Sequence, residues 1–311
     1  MPLSATLYHA GKHQAAAELT DSSERCPWCA AEGTRTRLLQ LQEDPEVWLL
    51  KCGRCAAASA SHLPTKEALD RYYAHYYQAN AAQRVTLQGL SRFSRRIVKR
   101  AFPYPPSAPL DVLDFGGGDG SLAASIAELL IERGCPGVRI TVADYNAQLC
   151  SPRAPGIRMS GCAGLEQCSG RAYGLVLASA VLEHLPEPRE TARRLLTSVR
   201  PDGIFYARTP FVAPLFRLLR RAGLKPDFTF PGHIHDLGQD FWDGFIGTLG
   251  LPTGEWQILA SVPSIVETRF RECFARTALS YVLKAPWSLL GRSWPFVGGW
   301  EFLAQRLNRL Q

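Results

Sequence analysis

The stretch Leu110-Asp-Val-Leu-Asp-Phe-Gly-Gly-Gly-Asp-Gly-Ser-Leu-Ala-Ala-Ser-Ile-Ala-Glu-Leu-Leu130 decides the fold. Its opening residues, Leu110 to Phe115, read as a buried strand, and Gly116 to Gly120 read as a turn. The remainder reads as a helix with Leu122, Ile126, Leu129 and Leu130 on one face. A strand that runs through glycines directly into a helix opens a doubly wound α/β nucleotide-binding fold. Gly116, Gly117, Gly118 and Gly120 let the backbone approach a ligand closely and take positive φ where the turn needs it. A second strand, Gly137 to Ala143, ends in Asp144 and Tyr145. A carboxylate at that strand end accepts both hydroxyls of a ribose.

The segment Gly118-Asp-Gly-Ser-Leu-Ala123 also fits the Gly-x-Gly-x-x-Ala pattern of dinucleotide sites. Two acids argue against a pyrophosphate there. Asp114 precedes the first glycine by two residues and Asp119 lies inside the turn, so both repel phosphate. Asp114 instead suits a cationic amino group. No Lys-Ser/Thr pair comes after the glycines, which excludes a P-loop.

Upstream, four of the nine cysteines form two knuckles, Cys26-Pro-Trp-Cys29 and Cys52-Gly-Arg-Cys55. Each knuckle presents two thiolates to one tetrahedral Zn²⁺, and the intervening residues suffice for a β-hairpin whose second strand contains Val47-Trp-Leu-Leu50. Two disulfides are the other reading of the same spacing. Four sulfur ligands leave no open position, so such a zinc would be structural. Next, Leu69, Tyr72, Tyr73, Tyr76 and Tyr77 fall on one helix face, either docking the cysteine module or sending a phenol into a cleft. A second helix sets Leu90, Phe93, Ile97 and Val98 against Arg92, Arg95, Arg96, Lys99 and Arg100, and no acid occurs from Arg84 to Arg100. The basic side reads as a solvated face. A Pro-rich stretch, Phe102 to Pro109, then marks a boundary. The expected organisation is a zinc ribbon over 1–65, a helical linker over 66–108 and a cofactor-binding domain over 109–311.

Asp114-Phe-Gly-Gly-Gly-Asp-Gly120 resembles the Asp-x-Gly-x-Gly-x-Gly signature of class I S-adenosylmethionine-dependent methyltransferases. The likeness extends to Asp144, to Leu175-Val-Leu-Ala-Ser-Ala-Val-Leu-Glu-His-Leu-Pro186 and to the strand around Pro210. The paired cysteines, Leu63-Pro64 and the tyrosines from Tyr72 to Tyr77 are similar to a zinc-ribbon branch that methylates sugars and secondary metabolites. The resemblance implies a mostly parallel seven-stranded sheet and S-adenosylmethionine as cofactor. It places Gly116, Gly118 and Gly120 under the methionine and ribose, Asp144 on the ribose hydroxyls, and Ser179 and Ala180 along the cleft. One departure is that Cys162 stands where the family usually has an acid for the adenine amino group.

Methyl transfer asks the protein for alignment and, with a hydroxyl acceptor, for a base. Glu183-His184 is one candidate, or shapes the cofactor pocket. Pro231-Gly-His-Ile-His-Asp236 is the other. His233 and His235 share parity in an extended segment, so both are expected on one side, with Asp236 orienting a base. The same residues also suit a helix cap, or a metal site with Glu183. His9, His13, His62 and His75 read as surface or packing residues.

Trp256 to Ala260 reads as the sixth strand, Arg269 to Leu290 as helical, and Gly299 to Arg306 as a closing antiparallel strand. Trp287, Trp294, Phe296 and Trp300 read as packing residues, with an interfacial membrane contact as the alternative. The chain has 311 residues, 46% hydrophobic and 20% charged, which excludes a disordered or coiled-coil protein. Its longest apolar run, Tyr173 to Leu182, is well short of the ~20 residues of a spanning helix, and no secretory leader is seen, so a cytoplasmic protein is expected. The net charge of +7 concentrates from Arg84 to Arg100 and from Arg189 to Lys225. These positions point to a small anionic acceptor, such as a nucleotide-linked sugar, taken by O-methylation. An RNA methyltransferase and a catalytically inactive zinc-dependent binding protein are the alternatives.

Overall fold

The computed structural model describes residues 13–79, 90–145, 148–168, 170–266, 268, 270–271 and 273–308, with backbone alone over 73–79. The side chains of Tyr73, His75, Tyr76 and Tyr77, together with His9 and the run from Arg84 to Gly89, lie outside the described residues.

Strands β1 (Arg35–Gln42) and β2 (Val47–Cys52) form the hairpin between the knuckles, and β3 (Ala58–Ala60) adds antiparallel to β2. Helices α1 (Lys66–Ala79) and α2 (Leu90–Ala101) come after it. The large domain continues with β4 (Leu110–Phe115), α3 (Ser121–Glu132), β5 (Val138–Ala143), β6 (Ile157–Cys162), β7 (Tyr173–Ser179), α4 (Pro188–Thr197), β8 (Val199–Phe211) and α5 (Ala213–Arg221). Then come β9 (His235–Asp236), α6 (Gln239–Asp243), α7 (Phe245–Thr248), β10 (Trp256–Pro263), α8 (Phe274–Lys284), α9 (Trp287–Leu290) and β11 (Gly298–Arg306). Gly244 separates α6 from α7.

The seven-stranded sheet runs β10-β11-β8-β7-β4-β5-β6, and only β11 is antiparallel to its neighbours. The chain builds outward from β4 to β6, then returns to lay β7 on the other side of β4. That reversal opens a crevice at the carboxyl ends of β4 and β7, where open α/β sheets bind ligands. β7 is buried along nearly its whole length, as expected of a central parallel strand covered on both faces.

Helix α2 belongs to the core of this domain. Its Phe93, Ile97 and Val98 are buried with Leu122 and Ile126 of α3, and Ser125 Oγ donates to Ser94 Oγ at 2.9 Å. The basic side of α2 is not simply solvated. Arg96 Nε pairs at 2.9 Å with Glu301, a buried acid that β11 supplies, and the Arg208 guanidinium lies 4.8 Å from the centre of the Phe93 ring. Glu301 also accepts a hydrogen bond from the Ile265 amide at 3.0 Å, so its carboxylate is partnered on both oxygens.

The cysteine module is held against the domain by a second sheet, ordered β1-β2-β3-β9. The two residues of β9 pair with Ala58 and Ser59, and the Ala60 amide donates to Ile234 O at 2.8 Å. Trp28, between the first two cysteines, is fully buried against Phe241 at 4.8 Å and His235 at 5.5 Å between ring centres. Arg189 ties the two units by donating to Trp28 O at 2.8 Å and Thr248 O at 2.7 Å. Trp28 is thus a core residue of the whole protein. Trp28→Ala is expected to lower the unfolding free energy by about 3–5 kcal/mol, read from urea midpoints at constant slope. A loss below about 1 kcal/mol would mean that the module docks without it.

Candidate active site

The glycine turn caps β4. Gly116, Gly118 and Gly120 have φ of +66°, +60° and +76°, a region that costs other residues roughly 1–2 kcal/mol. Space adds a second constraint at Gly116, where a Cβ would sit 2.3 Å from Val181 Cγ2. At Gly118 a Cβ would meet nothing within 4 Å, so this residue faces the open crevice. The Gly118 amide donates to Asp144 Oδ2 at 2.9 Å, which fixes the carboxylate at the end of β5 against the turn. Tyr145, beside it, is 80% exposed.

Asp114 lies beneath the turn. It is buried, and a Cβ at Gly117 would come 2.4 Å from its carboxyl carbon. Its Oδ2 has no hydrogen-bond partner among the described residues. Burial, reinforced by the charge of Asp144, pushes this carboxyl up to about 7. At the neighbouring strand ends, Cys162 O accepts the Asp144 amide at 3.1 Å and Cys162 Sγ lies 2.8 Å from Cys168 Sγ. Ser179 Oγ accepts from Arg208 Nε at 3.3 Å at the end of β7.

Past Val181, a single 3₁₀ turn, Leu182–His184, carries Glu183 and His184. The loop before β9 returns over it, and the Ile234 amide donates to Glu183 O at 2.9 Å. His184 Nδ1 is 2.6 Å from Gly232 O, its Nε2 is 3.9 Å from Glu183 Oε1, and its ring centre is 4.8 Å from that of His233. His233 Nδ1 lies 2.7 Å from Thr229 Oγ1. Glu183, His184 and His233 therefore form one cluster, with donor atoms all within 4.8 Å of one another. Thr229 was not legible as part of it. Its φ of +67° is unusual for a β-branched residue and has no sequence signal.

His235 does not join this cluster, contrary to the parity argument. The His233 amide donates to Thr229 O at 3.0 Å, so His233 is the last residue of a turn that begins at Thr229, whereas His235 is already in β9. His235 is fully buried, with Nδ1 2.8 Å from Ser59 Oγ and Nε2 2.8 Å from Leu185 O. Burial pushes its imidazole down to about 3, so it stays neutral and serves as a strut between module and domain. Asp236 orients no base either. Its two oxygens accept the Val212 and Ala213 amides at 2.7 and 3.2 Å, which caps α5.

The four module cysteines are all buried, and their sulfurs lie within 4.8 Å of one another. Cys26–Cys55 and Cys29–Cys52 Sγ distances are both 3.6 Å. Zn–S bonds of about 2.3 Å imply tetrahedral edges of about 3.8 Å, so the arrangement fits a zinc ion, and a disulfide at about 2.05 Å is too short for it. The Arg54 amide donates to Cys52 Sγ at 3.4 Å, the kind of outer contact that supports a thiolate.

A family profile described as a methyltransferase domain matches residues 74–244, just over half of the chain. The chain belongs to this methyltransferase family. No curated protein matches it. Among solved structures, the methyltransferase is similar to the Burkholderia thailandensis 1,6-didemethyltoxoflavin-N1-methyltransferase with bound 1,6-didemethyltoxoflavin and S-adenosylhomocysteine (14% identity, 78% of this chain and 89% of that one, TM-score 0.46). It is also similar to the [4+2]-cyclase SpnF (16%, 79% and 97%, TM-score 0.48) and to the plantazolicin methyltransferase BamL in complex with a triazolic desmethylPZN analog and S-adenosylhomocysteine (11%, 76% and 91%, TM-score 0.47).

The separation of the two histidines has a measurable consequence in the methyltransferase. The unfolded chain takes up a proton at His235 near pH 6.5, whereas the folded one does so only at about 3. Its contribution to stability is therefore present above pH 6.5 and is lost as pH falls toward 3. The stability advantage of the wild type over His235→Gln should shrink by up to about 1.4 kcal/mol per pH unit below 6.5. A difference independent of pH would place His235 in contact with solvent.

Proposed function

We propose that this methyltransferase binds S-adenosylmethionine across the glycine turn and Asp144, and methylates a small molecule held between that crevice and the Glu183–His184–His233 cluster. The observation that carries the reading is the adjacency of the two. Gly116 packs directly on Val181, and Glu183 lies two residues later on the same turn. S-adenosylmethionine, when bound, supplies a methyl group already activated on a sulfonium. The chain's own residues then bind, orient and handle the proton.

Asp114 supports the fit to this cofactor most directly. Its buried, unpartnered Oδ2 is suited to the cationic amino group of a methionine moiety, whereas a pyrophosphate there would be repelled. Asp144 is positioned for ribose hydroxyls, Cys162 and Tyr145 border the adenine side, and Ser179 and Ala180 line the floor. For a hydroxyl acceptor, the Glu183–His184–His233 cluster is where the acceptor oxygen and its proton are handled. We assign the four cysteines to a structural zinc. We also place the start of the domain at α2, whose residues share a core with α3.

Four arginines of the basic runs are engaged in the fold: Arg189 and Arg193 donate to main-chain carbonyls at Thr248 and Leu249, Arg194 pairs with Glu166, and Arg96 pairs with Glu301. The proposed acceptor is a small sugar, nucleotide-linked sugar or secondary metabolite. Among the described residues no helix is long and apolar enough to cross a membrane.

Calorimetry with S-adenosylhomocysteine tests the reading. One molecule should bind per chain, and Asp144→Ala should weaken it by tenfold or more. Because Asp114 titrates at about 7, its carboxylate is increasingly protonated below that pH. Affinity should therefore fall by up to about tenfold per pH unit below 7 and become flat in Asp114→Asn. Absence of binding by the intact wild-type protein would overturn the cofactor assignment.

A further inference from the structure

The hydrogen bonds around the histidine pair determine its tautomers. A carbonyl only accepts, so His184 Nδ1 carries the proton it donates to Gly232 O at 2.6 Å. At His233 the partner is a hydroxyl, whose direction must be worked out. Thr229 Oγ1 donates to Phe228 O at 2.5 Å, which uses its single proton. Thr229 Oγ1 therefore accepts at 2.7 Å from His233 Nδ1–H. Both imidazoles thus carry a proton on Nδ1.

A base needs only one such ring. Here a second imidazole lies with its ring centre 4.8 Å from the first, and a carboxylate lies beside both. Anchoring a ring N–H on a carbonyl or hydroxyl is how proteins orient histidine ligands of metals. The third member is a carboxylate, with Glu183 Oε1 3.9 Å from His184 Nε2 and every donor within 4.8 Å of the others. Bonds of about 2.1 Å give ligand–ligand edges of roughly 3–3.4 Å, so the set closes on an ion by shifts of about 1 Å.

We propose that Glu183, His184 and His233 bind a divalent first-row transition-metal ion, whose open positions receive two adjacent oxygens of the methyl acceptor. Two histidines and one carboxylate leave open positions at the metal, unlike the closed four-cysteine site. Nitrogen donors favour zinc, iron(II), cobalt or nickel over magnesium and calcium, which prefer oxygen alone. The acceptor class becomes one with vicinal oxygens, such as a catechol, a vicinal diol or an α-hydroxycarbonyl compound. Only this use of the ion rests on the methyl-transfer reading; the ion site itself stands on the cluster.

The test uses the full chain with its cysteine module loaded with zinc, and cobalt(II) chloride alone as the probe. Elemental analysis should give one zinc and one cobalt per chain. The cobalt should show weak visible absorption without the near-ultraviolet thiolate band of a cysteine site. His184→Gln and His233→Ala should each weaken cobalt binding at least a hundredfold, and Thr229→Val, which removes the outer acceptor, by about tenfold or more. A wild-type protein that takes up no cobalt beyond the module, or a His184→Gln/His233→Ala variant that retains it, overturns the site. S-adenosylhomocysteine titrated into the same samples separates the two readings: its binding without cobalt uptake rejects the ion alone, and cobalt uptake without its binding rejects the cofactor alone.

Discussion

The Glu183–His184–His233 cluster depends on a joint only two residues long. His235 and Asp236 complete the sheet of the cysteine module, and the same two residues are committed inward by their side chains, one to Ser59 and Leu185 and the other to the start of α5. The ladder alone contributes about 1 kcal/mol per hydrogen bond. The joint is rigid because it is dry. Trp28, Phe241 and Phe245 surround it, so each polar group there must keep its partner or carry a desolvation cost of about 1–3 kcal/mol. With β9 held in this way, the preceding loop has little freedom, and His233 is delivered over His184.

The cofactor side uses a different constraint, steric and electrostatic at once. The turn must be glycine at Gly116 because Val181 occupies the space a side chain would need. Beneath it, a carboxyl is enclosed where its ionisation is opposed by burial and by Asp144. A buried group of this kind is costly in the empty protein, and the cost is recovered when a cation arrives. The two sides meet at Val181, which touches the turn and leads directly into Glu183.

Periodicity and the glycine pattern made the fold legible, because strand, turn and helix are adjacent in sequence and each carries its own signal. The cysteine hairpin was legible for the same reason. Contacts set by a turn or by a distant strand could not be read. Alternation placed His233 and His235 together, but it holds only within one strand: His233 closes the turn from Thr229, and β9 begins at His235. Arg96 looked solvated because its acid, Glu301, lies on the last strand, far along the chain. Thr229 carries no motif at all, and its role emerges only from the direction of two hydrogen bonds.

The β3–β9 pairing also makes the two halves of the protein thermodynamically reciprocal. Ordering of the cysteine module and ordering of the loop that carries His233 share one interface, so each favours the other by the same free energy. A molecule seated against that loop would stabilise the knuckles, and whatever fills the knuckles would raise affinity at the loop. A four-cysteine cluster far from the crevice can in this way influence what that crevice accepts, acting as a constraint on conformational freedom.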